Sequence, residues 1–323
     1  MKRTRKGEQA RWAAIFLAPN MAGFLVFTAG PVLFSLAASF TNWNLQRTVP
    51  FHFVGLGNFI DIAHDKPFWL YLVNTFYMML GMPIAILGSL WLAILLNRNL
   101  RGMTTFRTLL YLPSFTSGVA LMILWKALYN PDFGPVNEAL RHAIDLLGLQ
   151  GRVSPPQWLL STHNVLGLDA EKVAYAPKQF GIGARDALIY MGIWTAIGGS
   201  NMLLYLAALT NVPEELLEAA QLDGAGKWAC FRFVTWAQLA PTTFFIVVMS
   251  FIGGLQGGFE QARVMTLGGP ANTTTTLSYY VYSKAFEQFQ IGYSSAVAWV
   301  LFTLIFVVTL LNWRFGNKDV SYA

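Results

Sequence analysis

Few side chains in this 323-residue chain have the type and spacing for bond-making chemistry. A single cysteine, Cys230, excludes an intramolecular disulfide and any cysteine-cluster metal site, and its neighbours Ala229 and Phe231 suit ordinary packing. His52, His64, His142 and His163 fall in stretches that read as loops, without paired ligand spacing. No apolar segment groups His, Asp and Glu at metal or nucleophile spacing, which argues against a membrane enzyme. The nearest approach to a phosphate-binding G-x4-G-K-S/T loop is Gly224-Ala225-Gly226-Lys227, which lacks both the spacing and the hydroxyl. No catalytic residue, metal or cofactor is expected in this chain.

Binding chemistry remains. Asn201 follows Gly198-Gly199-Ser200 and precedes Tyr205. Gln256 sits within Gly253-Gly254-Leu255-Gln256-Gly257-Gly258, with Phe251 before it and Glu260 after. An amide in an apolar helix needs a hydrogen-bond partner, and solute hydroxyls can supply one. Tyr205 and Phe251 add aromatic faces on which a solute ring can stack. Polar and glycine-interrupted positions of this kind mark pathways in membrane proteins. The same glycines have a second use, because Gly253/Gly257 and Gly254/Gly258 carry the small-xxx-small spacing of close helix packing. Packing is the stronger account of the glycines; a solute path is the stronger account of Asn201 and Gln256.

The elements that must position these residues are membrane spans. The chain is 55% hydrophobic and only 12% charged, against about 25% charged in a typical soluble domain. Six apolar segments reach the roughly 20 residues that a bilayer-crossing helix needs. They lie near 12–40, 69–96, 107–129, 187–210, 242–262 and 293–315, which predicts an all-α, six-span domain covering 1–323. The first is far longer than the roughly 7–15-residue apolar core of a cleaved signal, so it reads as retained.

Basic residues near span ends set the expected orientation. Lys2, Arg3, Arg5, Lys6 and Arg11 face a single acid, Glu8, and Arg98, Arg101, Arg107, Lys227, Arg232, Arg314 and Lys318 fall on the same side. The first loop opposite has Arg47 and Lys66, offset by Asp61 and Asp65. Both termini and the 211–240 segment are therefore expected in the cytoplasm. Beside a span, the N-terminal basic cluster reads as an orientation signal and not as a nucleic-acid site. The opposite face carries a long loop, 130–186, with five Lys or Arg that blunt the contrast. Within it, 133–149 reads as an amphipathic helix with Val136, Leu140, Ile144 and Leu147 on one face. Ser154-Pro155-Pro156 and the Gly181/Gly183 region act as breakers. The loop is too small to fold alone, so it is expected to pack on span ends or on a partner.

One polar segment, Pro213 to Trp228, interrupts the apolar pattern. Pro213 suits a first helical turn, Glu214, Glu215 and Glu218 favour the N-terminal dipole, and Gly224 and Gly226 end the helix. Leu216, Leu217, Ala219 and Ala220 provide an apolar or small face. A second helix can start near Lys227 and enter the next span after Pro241. Two short helices around a glycine bend would make a knob on the cytoplasmic surface.

Glu218-Ala219-Ala220, three residues including Asp223, then Gly224 resembles the E-A-A-x3-G loop of ABC-importer permeases. The fuller family pattern continues x9-I-x-L-P, and here Val234, Trp236 and Ala237 replace its last three specified residues, with Pro241 four positions on. Leu17-Ala18-Pro19 through Thr41-Asn42-Trp43 resembles the start of binding-protein-dependent sugar permeases. Val54-Gly55-Leu56-Gly57-Asn58-Phe59 looks like their first external loop. Thr266-Leu267-Gly268-Gly269-Pro270, then Tyr279-Tyr280 and Lys284-Ala285-Phe286, is similar to the stretch before their last span. Extra residues near 163–186 exceed the usual length.

The resemblance implies a six-span subunit of a maltose- or glycerol-3-phosphate-type importer. It would pair with a second permease, dock two ATPase subunits on 213–228 through Glu218, Ala219, Ala220, Asp223 and Gly224, and receive a sugar or polyol from an external solute-binding protein. ATP and magnesium would be bound by the ATPase. Asn201, Tyr205, Phe251, Gln256 and Glu260 would border the solute path. A secondary carrier is the alternative within transport, as is a permease for a non-sugar solute. A carrier would usually place ionisable groups at span centres, whereas Lys126 and Glu260 lie near predicted ends.

Overall fold

The computed structural model describes residues 2–46, 50–97, 102–116, 118–167 and 181–316. Arg47, Arg98, Arg101 and Lys318, on which part of the orientation argument rests, lie outside the described residues, as do the side chains of Lys2, Arg3, Arg5 and Lys6 and residues 168–180 of the long loop. Among the described residues the architecture is all-helical, with one isolated bridge between Thr41 and Phe53. The helices are α1 (Lys2–Phe24), α2 (Gly30–Ser39), α3 (Gly57–His64), α4 (Lys66–Met78), α5 (Gly81–Leu96), α6 (Met103–Tyr111), α7 (Gly118–Leu128) and α8 (Pro135–Leu146). They continue with α9 (Ala184–Ile197), α10 (Ser200–Thr210), α11 (Glu214–Leu222), α12 (Lys227–Cys230), α13 (Trp236–Gln256), α14 (Leu277–Tyr282) and α15 (Ile291–Gly316).

Five continuous runs are long and apolar enough to cross a membrane: Gly7–Ser39, Lys66–Leu96, Ala184–Thr210, Lys227–Thr266 and Ile291–Arg314. The segment expected as one span at 107–129 is bent. Met103–Phe115 and Gly118–Leu128 meet at 95°, so a sixth crossing exists only if this bent pair is counted as one. Pro113 lies in a tight 3-10 turn, Leu112–Phe115, where its missing N–H and bulky ring stop the helix. The fifth span is expected to be entered by a helix that starts near Lys227, and that helix is present. It runs from Lys227 straight through Pro241, which sits inside α13. A π-helical turn at Phe231–Thr235 precedes the proline.

The chain forms two compact units, one of residues up to Asp65 with Val281–Val300, the other of Lys66–Tyr280 with the chain from Leu301 onward. In the first, buried Asn58 donates to the carbonyls of Ser39 and Thr41, both at 2.8 Å, tying α3 to the end of α2. Tyr293 on α15 donates to Asp65 at 2.6 Å, and the Trp299 indole N–H reaches Ser35 at 3.2 Å.

In the second unit, Ile86, Leu90, Ala93 and Leu96 of α5 pack on Met202, Leu206 and Leu209 of α10 and on Leu239 and Ile246 of α13. Their spacing of three and four residues is the helical repeat that sequence periodicity leads one to expect. Between membrane helices close contact matters more than water exclusion. Small residues supply it: a Cβ on Gly81 would stand 2.8 Å from Ile189, and one on Gly88 2.7 Å from Ile197. A second cluster joins Met122 and Tyr129 to Ala187, Leu188, Met191 and Met265. Trp158 belongs to it, and Val136 and Leu140 of α8 pack against it, so the long loop rests on span ends. Ile144 is buried, but Leu147 is 72% exposed because α8 stops at Leu146 and the chain leaves the face there.

Candidate functional site

Three interruptions in the spans of the second unit border one cavity of about 330 Å³. The first separates α4 from α5, and Met78, Met79 and Gly81 line the cavity there. The second separates α9 from α10, contributing Ala196 and Asn201. It falls at Gly198-Gly199 because a Cβ on Gly198 would overlap the Leu110 carbonyl oxygen. The third is the end of α13, where Gly253, Gly254, Gly257 and Gly258 border the space. Gly258 has φ +82°, a left-handed conformation that glycine adopts without penalty.

Two uses of the glycine run coincide here. A Cβ on Gly254 would press on Met79 at 2.9 Å, which is a packing contact, whereas one on Gly253 would meet nothing within 4 Å. The polar lining comes from α10 and α13 and the turn beyond it. Asn201, Ser250 and Gln261 are half-buried and line the cavity. Thr75 and Thr276 line it too, but the Thr75 hydroxyl is committed, donating to Tyr71 at 2.7 Å and accepting from the Leu277 N–H at 3.0 Å. Among the described residues no Lys, Arg, His, Asp or Glu lines the cavity.

The sequence-derived path residues scatter around this space. Asn201 lines it. Tyr205, one turn deeper on α10, is fully buried in the α5–α10–α13 core and does not line it. Phe251 borders a separate cavity of about 310 Å³ with Thr243, Val247 and Asn312. Gln256 is exposed and off the lining, because at 3.6 residues per turn it falls beside the 250, 253, 254, 257 stripe. Glu260 is also exposed, and its carboxylate lies over Gly118, where an added Cβ would come within 2.6 Å. Ser250 and Gln261 were missed by sequence reasoning. For Ser250 the signal was available, since 250, 253 and 254 share one face of α13; Gln261 lies beyond the break at Gly257-Gly258, where helical phase carries no information.

The 213–228 segment forms a second candidate site. Pro213 caps α11, whose first turn holds Glu214 and Glu215. The helix ends in a Schellman motif. The Ala225 N–H donates to the Ala220 carbonyl at 2.9 Å and the Gly224 N–H to the Gln221 carbonyl at 3.0 Å. Gly224 has φ +84°, and a Cβ there would meet nothing within 4 Å, so the dihedral alone demands glycine. No residue of α11 is buried. Glu218, Ala219 and Asp223 are exposed, Ala220 is half-buried, Leu222 is 89% exposed and Trp228 is 72% exposed.

A third cluster is polar and buried. Asp186, in the first turn of α9, accepts hydrogen bonds from the Tyr77 hydroxyl at 2.6 Å and from the N–H groups of Val165 and Gly183 at 3.0 and 3.3 Å. Asn74 donates to the carbonyls of Asn272 and Thr275 and accepts from Arg185 at 3.3 Å. The Arg185 guanidinium also lies over the Tyr77 ring, 4.8 Å from its centroid. These bonds fasten α4, α9, the 161–167 segment and the 268–277 segment to one another.

No protein-family model matches the chain. Known proteins do. A probable ABC transporter permease of Bacillus subtilis (strain 168), YesP, is 34% identical over 323 residues, covering 98% of this chain and 94% of the relative. The lactose transport system permease LacF of Rhizobium radiobacter is 34% identical over 304 residues, covering 92% and 91%. A crystal structure of a bacterial ABC transporter that imports the acidic polysaccharide alginate contains a chain with TM-score 0.77 and 20% identity, covering 99% of this chain and all of that one. Similarity in sequence at this length, with the same helical fold throughout, leads to one assignment: this chain belongs to the permease subunits of ABC transporters.

Proposed function

We propose that this permease moves a sugar or related polyol inward through the cavity beside Asn201, with ATP hydrolysis supplied by separate subunits docked on 213–228. The carrying observation is that Asn201, Ser250 and Gln261 line the cavity without a side-chain hydrogen bond to the protein among the described residues, in a chain related to a lactose permease. Polar groups in a membrane interior are costly to leave unsatisfied, so their partners are expected to arrive with the solute. The orientation follows from the basic residues named above, with both termini and α11 in the cytoplasm. The knob supports the docking reading, because α11 has no buried residue and Leu222 at its end and Trp228 on α12 are exposed. Glu218 and Asp223 would meet basic groups on the ATPase, and Gly224 would hold the bend. A second, different permease and an external binding protein complete the assembly in this reading.

The experiment is reconstitution of this chain with its partner permease, ATPase subunits and binding protein in proteoliposomes. Solute-dependent ATP hydrolysis and uptake should fall on Asn201→Trp, which fills the cavity, while basal ATP hydrolysis persists. Unchanged uptake by that variant would remove the cavity from the path.

A further inference from the structure

The chemistry of the cavity wall narrows the solute. Asn201 and Gln261 each offer donors and an acceptor, and Ser250 offers a hydroxyl that does both. A sugar hydroxyl likewise donates and accepts, so these groups can pair with it without a net charge on either side. Met78, Met79 and Met82 complete the wall with flexible, polarisable apolar surface suited to the C–H faces of a ring.

Nothing on this wall compensates an anion. No cationic side chain lines it among the described residues. Arg185, the buried cation of the polar cluster, bonds Asn74 and stacks on Tyr77 and is not part of the lining. Helix ends do not substitute for it. Met78 ends α4 as Gly81 begins α5, and Ile197 ends α9 as Ser200 begins α10, within spans that stay continuous, so opposing partial charges face each other. Glu260, next to Gln261 in the chain, adds negative charge to the neighbourhood. A carboxylate or phosphate brought here would lose water and gain no counter-charge.

We propose that this cavity admits uncharged, hydroxyl-rich solutes and rejects anionic ones such as uronates and sugar phosphates. The inference rests on the cavity being the solute path.

The test reads the cavity's charge preference without knowing the solute. In membrane vesicles holding the assembled transporter, Ser250→Cys and, separately, Asn201→Cys are labelled with methanethiosulfonates carrying either a neutral hydroxyethyl or an anionic sulfonatoethyl group. Rates are normalised to those with a small free thiol. The unsubstituted chain, whose only cysteine is the buried Cys230, is the control. The sulfonate should react at least about tenfold more slowly than the neutral reagent at both positions. Adding Gln261→Arg should erase the difference. Equal or faster labelling by the sulfonate would overturn the proposal and leave the path intact. Failure of both reagents at both positions, with and without ATP, would mean that no water reaches the cavity, and would overturn the path together with the proposal.

Discussion

Polar side chains do opposite work at two places in the same unit. Around α4 and the start of α9, Asn74, Tyr77, Arg185 and Asp186 are buried and spend their hydrogen bonds on other parts of the chain. On α11, Glu214, Glu215 and Glu218 stand exposed, and the turn that follows is held by two backbone hydrogen bonds. The buried cluster needs the whole fold to exist, since Tyr77 and Asp186, and likewise Asn74 and Arg185, lie more than a hundred residues apart in the chain. The knob needs only its own dozen residues. One region is therefore expected to govern stability and the other communication with a partner, and substitutions should separate the two.

The largest effect should come from Asp186→Ala. It would strand the Tyr77 hydroxyl and the N–H groups of Val165 and Gly183, at about 1–3 kcal/mol for each donor left buried without a partner. The detergent-solubilised protein should lose several degrees of melting temperature or fail to yield monodisperse material. Asp186→Asn should fall between, because its amide oxygen keeps some acceptor capacity. A melting temperature unchanged by Asp186→Ala would show that the cluster is not what holds the long loop down.

Two glycines sharpen the contrast. Gly183 has no left-handed dihedral, but a Cβ there would overlap the His163 carbonyl oxygen and stand 2.5 Å from that of Ser161. Gly183→Ala must move backbone, and should cost about 1–3 kcal/mol, as overpacked sites do. Gly224 is the reverse, with open space and φ +84°. Gly224→Ala should cost only about 1–2 kcal/mol, confined to the bend. Gly224→Asn should be nearly neutral, because Asn tolerates that conformation, whereas Gly183→Asn should be worse than Gly183→Ala. Thermal melts of the four variants decide it. If Gly224→Asn and Gly183→Asn destabilised equally, the distinction between a dihedral and a volume requirement would fail.

The same contrast explains what could be read from the sequence. The spans near 69–96 and 293–315 were legible because apolar length is a local property, and α4–α5 and α15 fall there. The knob was legible because its cap, acidic first turn and terminal glycine are all neighbours in the chain. The 95° bend between Phe115 and Gly118 was not seen, although Pro113 stands just before it, because a proline within an apolar run ends a helix in one context and is absorbed in another. Pro241 shows the second outcome, inside α13. Asn201 was found at the cavity, whereas Gln256, named for its flanking glycines, is turned off the lining by its helical phase. The Tyr77–Asp186 bond had no local signature at all.

The smallest effect on stability should come from the knob's most exposed apolar side chain. Leu222 ends α11 and is 89% exposed, so it contributes no packing to the chain itself. Leu222→Ser should shift the melting temperature negligibly, within the ±0.5 kcal/mol or so usual for surface substitutions. If α11 docks on an ATPase, the same side chain is expected to enter a groove there. Its loss should weaken assembly or coupling by roughly tenfold, equivalent to about 1.4 kcal/mol of docking. Solute-stimulated ATP hydrolysis across a titration of the ATPase subunit measures this. Rescue at high ATPase concentration would identify a lost contact, whereas a reduced maximum would identify a lost transmission step. An unchanged titration, with Glu218→Ala equally silent, would leave α11 as a solvated loop helix and move the docking surface elsewhere, with exposed Trp228 and Phe233 the next residues to test.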